Sequence, residues 1–217
     1  MNLKLDLCRI IIVILNYLYG KDTIHWFKRY RLMNSAVPPE MKANITKLYC
    51  AAYNESQKNK IITLLLITEE CTIVASGKSP LEPDDFWILP LGSEKTSKEF
   101  FKHTPPSPDE IEYAINFIED TIIPLKKLLP TNSELYSFSP VMQEIILQAN
   151  KSLSSPKKVL SIKEMEDVFS RLAIIISGRP YSTDTLPESS SFAASLLILR
   201  EFMHHLGFQN IIIEKSL

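Results

Sequence analysis

Glycine is scarce. The 217-residue chain has 5 glycines against 14 prolines, where average usage near 7% would give about fifteen. Glycine is what lets backbone amides close around a phosphate, so the shortage argues against a large phosphate-cradling site. Cysteine is scarce as well. Cys8, Cys50 and Cys71 are odd in number and widely spaced, which fits neither a disulfide framework nor a paired-cysteine zinc site. Free thiols in a reducing compartment are expected, and with them a cytoplasmic location. Excess charge is missing too. With a formal net charge of −1, no global field draws the protein to nucleic acid or an anionic membrane. The short basic cluster Lys28, Arg29 and Arg31 around Tyr30 reads as a solvated face. No apolar run reaches the roughly 18 residues of a membrane span. The apolar stretch Ile10 to Leu15 is interrupted by Asn16 and Tyr17, and reads as a buried core element rather than a signal or anchor.

What remains is ordinary globular material, 45% hydrophobic and 23% charged, ample for a core of one large domain or two small halves. Residues 1–60 form an N-terminal segment, helical or partly α/β, with a helix expected from Met41 to Tyr53 that turns Ile45, Leu48 and Ala51 or Ala52 inward. From residue 61 the pattern sharpens. Ile61 to Ile67 and Cys71 to Ala75 flank Glu69 and Glu70 and predict a hairpin, with Phe86 to Leu91 as a third strand. Helices follow. Ser93 to Lys102 is short. Ser107, Pro108 and Glu110 start a long one that Pro124 should end or kink. A short strand is expected at Leu135 to Phe138 and a helix at Val141 to Leu153. Ser161 and Glu164 form a second capping box ahead of another helix. Ser177 to Ser190 reads as loop. Phe192 to Leu206 is apolar on most faces and predicts a central helix, with Gly207 at its C′ position and a closing strand at Phe208 to Ile213.

Generic chemistry is thin. His25, His103, His204 and His205 show no metal spacing, and adjacent His204 and His205 face different ways on a helix. The pairs Asp84-Asp85 and Glu119-Asp120 read as solvated carboxylates. No Walker sequence and no nucleophile elbow is present. No metal site is expected on these grounds.

The order of elements, and three local stretches, carry a resemblance. They are Ile88-Leu89-Pro90-Leu91-Gly92 followed by Phe100-Phe101 and Pro105-Pro106-Ser107-Pro108-Asp109-Glu110-Ile111; Leu160-Ser161-Ile162 entering a helix; and Ala193 to Leu199 running through Leu206-Gly207 to Ile211-Ile212-Ile213. This pattern resembles the second half of the exopolyphosphatase/guanosine pentaphosphate phosphohydrolase (Ppx/GppA) family, from about residue 60 to 217. The resemblance implies an α/β fold of the RNase H-like, actin-like kind: a mixed sheet flanked by helices, truncated relative to the family, over 61–217.

The family's glycine-rich phosphate loops are what the chain lacks. Where the family has a DiGGGST turn between the first two strands of this half, the chain has Leu66-Ile67-Thr68-Glu69-Glu70-Cys71-Thr72. Two carboxylates stand where an anion would sit, and at an effective dielectric near 20 a like charge about 4 Å away costs on the order of 4 kcal/mol. A second family loop would precede the Val141 helix; the chain has Ser137-Phe138-Ser139-Pro140, and Pro140 removes an amide. The Arg-Ala-Asp expected before the central helix falls on Glu188-Ser189-Ser190-Ser191. The resemblance with these losses implies a catalytically degenerate relative with no cofactor, acting as a binding or scaffold protein on a protein partner or a second copy. The alternative it leaves is an active phosphohydrolase on polyphosphate or guanosine penta- or tetraphosphate. That reading needs magnesium, Glu69 or Glu70 as ligand or base, and Thr68, Thr72 and Ser76 on the phosphate. A third reading is an unrelated structural α/β domain.

Overall fold

The structure, a computed structural model, describes residues 37–56, 60–149 and 158–214. The expectations for Cys8, Ile10 to Leu15, His25 and the Lys28 to Arg31 cluster lie outside the described residues. Among the described ones, no helix is long and apolar enough to cross a membrane. Cys50 is half-buried, its thiol donating to the Leu81 carbonyl at 3.1 Å, and Cys71 is buried.

Helix α1 (Pro39–Glu55) leads into a meander of three antiparallel strands, β1 (Ile62–Ile67), β2 (Thr72–Gly77) and β3 (Asp85–Leu89). Helices α2 (Ser93–Phe100) and α3 (Pro108–Ile122) follow. Then come β4 (Glu134–Ser137), α4 (Pro140–Gln148), β5 (Lys158–Ser161), α5 (Ile162–Ile176), α6 (Ser190–Leu206) and β6 (Asn210–Ile213). The six strands form one mixed sheet in the order β3-β2-β1-β4-β6-β5. β1 pairs parallel with β4, and β4 with β6, while β5 closes the edge antiparallel to β6. This is the mixed, helix-flanked sheet that the resemblance implies.

Strand residues alternate between two cores. Leu65, Ile67, Val74, Trp87, Leu89, Leu135 and Ile211 face a layer built from α2 to α6. Ile62, Leu64, Leu66, Ile73, Ala75, Phe86 and Ile88 face α1, which supplies Ile45, Tyr49 and Ala52 from the N-terminal segment. Because both faces are covered, β1 and β2 are buried at every position, and their sequence shows no polar alternation.

Both capping boxes form: Ser107 with Glu110 at the start of α3, and Ser161 with Glu164 at the start of α5. Pro124 ends α3 at Ile122, and the chain continues as a 3-10 turn over Ile123–Lys127, since proline has no amide to extend the ladder. Gly207 takes φ 81° at the C-terminus of α6, the left-handed conformation that glycine adopts without cost.

Several boundaries differ from expectation. β3 stops at Leu89 rather than Leu91 because Pro90 cannot donate to a ladder. α4 ends at Gln148, short of the expected Leu153, which lies outside the described residues. Lys158–Ser161, read from sequence only as the entry to a helix, is a strand. In the long helix α6, Phe192 to Leu199 are all buried, and so are Glu201, Phe202 and Met203.

Since Leu196 has no exposed surface, Leu196→Ala should lower unfolding free energy by about 2–5 kcal/mol, read from the urea midpoint at unchanged slope.

Candidate functional site

The turn joining β1 to β2 is where the resemblance would place a phosphate loop. It is closed on itself. The Thr68 amide donates to the Cys71 carbonyl at 2.9 Å. The Thr68 hydroxyl donates to that same carbonyl at 2.7 Å and accepts from the Cys71 amide at 3.1 Å.

The turn also closes on α2. A helix N-terminus presents unsatisfied amides and is an anion site by default. In α2 the Ser93 amide donates to the Thr68 carbonyl at 2.9 Å, and the Glu94 and Lys95 amides both donate to the Glu69 carbonyl at 3.0 Å. Thr96 donates to Gly92. The turn's own carbonyls therefore occupy the place that an anion would take, and α2 needs no side-chain cap.

Gly92 makes this approach possible. A Cβ there would lie 2.3 Å from the Glu69 carbonyl oxygen, 2.4 Å from the Glu70 carbonyl carbon and 2.6 Å from the Cys71 amide nitrogen. The one glycine at this site packs backbone against backbone and leaves no room for a ligand between them.

Of the residues considered for phosphate contact, Thr68, Glu69, Glu70 and Thr72 lie on or beside the β1–β2 turn, while Ser76 lies away from it. Thr68 and Glu69 are exposed at the turn and Glu70 is half-buried. Thr72 is fully buried and its hydroxyl donates to the Leu91 carbonyl at 2.7 Å. Ser76 sits at the far end of the hairpin opposite Thr63. Its hydroxyl donates to the Ile62 carbonyl at 3.0 Å.

The second loop position is closed in the same manner. The Ser139 hydroxyl accepts from the Ile67 amide at 2.8 Å and makes no cap on α4. The Ser137 hydroxyl donates to the Leu65 carbonyl at 2.6 Å and accepts from the Ser139 amide at 3.2 Å. Sequence reasoning gave these serines no role. A serine two residues after a buried strand and just before a proline-started helix was the available signal.

The loop between α5 and α6 is pinned as well. Asp184, 6% exposed at its side chain, pairs with Arg171 and Arg179 and accepts from the amides of Thr185 at 2.8 Å and Leu186 at 3.1 Å. Arg171 also donates to the Gln148 carbonyl at the end of α4, 2.7 Å away. The hydrogen bonds from Arg171 hold the Asp184 carboxyl at about 2, outweighing the burial that would raise it.

Away from these loops, one set among the described residues could hold a metal ion: Glu119 of α3 with Glu201 and His205 of α6. His204 turns the other way, to Glu166 of α5. The sequence carried half the signal, in the i, i+4 spacing of Glu201 and His205.

No family model matches the sequence, and no curated protein does. Solved structures do share the fold. The Ppx/GppA phosphatase of Aquifex aeolicus, in its type II variant, superposes with a TM-score of 0.66 at 17% identity, over 82% of this chain and 60% of that one. An exopolyphosphatase from Cytophaga hutchinsonii gives 0.61 at 13% identity, over 80% and 59%. An exopolyphosphatase-like protein gives 0.61 at 9%, over 82% and 62%. The chain therefore has the actin-like fold of Ppx/GppA structures. The match spans about three-fifths of their length.

Two outcomes test the closed loops. Gly92→Ala should destabilise the protein by at least about 2 kcal/mol, because backbone rather than side chain must yield; equilibrium unfolding reads it. Asp184 has a folded pKa below its unfolded value, so its stabilisation is complete above about pH 5 and is lost as pH falls toward 2. The gap in stability between wild type and Asp184→Asn should therefore shrink by about 2 kcal/mol across that window, as denaturant titrations at stepped pH would show.

Proposed function

We propose that this protein is a phosphatase-like scaffold without phosphohydrolase activity, which works by binding a protein partner or a second copy of itself. The observation that carries the reading is the mutual closure of the β1–β2 turn and the N-terminus of α2, in which Thr68 and Glu69 carbonyls take up the amides of Ser93, Glu94 and Lys95.

Phosphoryl transfer depends on donors aimed at the charge that develops on the transferring group. At the turn, the Thr68 amide and the first amides of α2 are engaged by backbone carbonyls, the Cys71 amide by the Thr68 hydroxyl, and the exposed side chains are Thr68 and the Glu69 carboxylate. At the second loop the Ser139 hydroxyl is taken by Ile67. Thr72 and Ser76, the hydroxyls an active enzyme would turn toward phosphate, point their protons at buried carbonyls. Opening these contacts for each turnover would leave buried polar groups unpaired, at about 1–3 kcal/mol apiece. The likeness in fold supports descent of the scaffold from a phosphohydrolase; a fold by itself does not carry an activity.

Incubation with polyphosphate or guanosine pentaphosphate and magnesium should give no phosphate release above background, and no rise in Tm, because a ligand that binds the native state must stabilise it. Turnover that Glu69→Gln or Glu70→Gln abolishes would overturn the reading in favour of an active phosphohydrolase.

A further inference from the structure

Between α3 and α6, three side chains converge from the two helices. His205 Nε2 lies 3.0 Å from Glu119 Oε1 and 3.3 Å from Glu201 Oε2. The three donor atoms all fall within 4.8 Å of one another. Both neighbours of Nε2 are carboxylate oxygens, so the ring nitrogen carries a proton that it shares between them. A tetrahedral zinc with bonds of about 2.0–2.1 Å sets its ligand atoms about 3.3–3.4 Å apart. The two spacings at Nε2 are close to that edge length, and the third falls within 4.8 Å.

The surroundings add an independent feature. Glu201 is 2% exposed, and its other oxygen, Oε1, accepts from Arg200 Nη1. Arg200 is held in turn by Glu166 Oε1 at 3.0 Å from its Nε, and by stacking 4.6 Å above the Phe169 ring. This outer shell orients Glu201 so that Oε2 faces Glu119 and His205, as the supporting hydrogen bonds of metal ligands do. Arg200 is shared between Glu166 and Glu201, so the carboxylates of Glu119 and Glu201 bring more negative charge to the tripod than Arg200 offsets. Glu119 and His205 are about 30% exposed, which leaves an entry path and an open fourth position.

The geometry points to a zinc-type transition-metal site formed by Glu119, Glu201 and His205, clamping α3 to α6. The ion takes the place of the proton on Nε2, which passes to solvent. The imidazole selects against magnesium and calcium, which prefer all-oxygen shells. The site is separate from the loops on which the proposed function rests, so either can stand without the other.

The test uses the full chain and zinc alone. One equivalent should bind, and at a hundredfold excess over Kd the Tm should rise by about 5 °C or more. Cobalt at the same site should give visible d–d bands without a thiolate charge-transfer band. His205→Gln and Glu119→Gln should each weaken zinc binding at least tenfold, while His204→Gln leaves it unchanged. The proposal is overturned if zinc leaves the Tm unchanged, if cobalt shows a thiolate band (which places the ion on a cysteine), or if both ligand variants bind as tightly as wild type. The cobalt spectrum and the thermal shift need only the wild-type chain, so a variant that does not fold leaves the proposal open to refutation.

Discussion

Backbone meets backbone at Gly92, and much of the architecture is arranged around that contact. Only a residue without a Cβ lets the start of α2 come within bonding distance of the β1–β2 turn. Once there, the turn's carbonyls satisfy the first amides of the helix, and the axis of α2 is set against the sheet. α6 packs along α2, α3 and α5, so the position of α2 helps fix the central helix, and α6 in turn carries Arg200, Glu201 and His205. A contact of a few atoms at one end of the sheet thus propagates into the helical layer through packed, low-compressibility contacts.

The same closure is what supports the proposed reading of a phosphatase-like framework that does no phosphohydrolase chemistry. Phosphate loops are costly to hold open, because they leave amides unpaired until a ligand arrives. In this chain the amides are paired internally at the turn, at Ile67 through Ser139, and across the Asp184 loop. Each of these pairings is made within or beside its own loop.

What was legible in the sequence was what depends on near neighbours. The two capping boxes, the stop at Pro124, the left-handed Gly207 and the hairpin around Glu69 and Glu70 all arise from residues within a turn or two of one another. The central burial of α6 was legible because apolar residues cover most of its faces. The candidate site was legible only as a set of missing glycines. Its actual construction joins Thr68 to Ser93 and Ile67 to Ser139, pairs 25 and 72 residues apart, and no local pattern encodes such a pairing. Glu119 and His205, 86 apart, were hidden for the same reason. β5 was missed because four residues containing a lysine make a strand only when β6 is there to pair with it.

That short strand has a bearing on how the molecule behaves among copies of itself. An open sheet has two unpaired borders, each a template for uncontrolled strand addition. Among the described residues they are β3 and β5. β3 is five residues long, opens on an exposed aspartate and is followed at once by Pro90. β5 is four residues long and turns Lys158 inward, where its ammonium donates to Gln143. Brevity, a proline and an inward charge are the devices by which sheets resist edge-to-edge aggregation. Two doubly covered, wholly buried inner strands can therefore be carried in the middle of the sheet without making its margins adhesive.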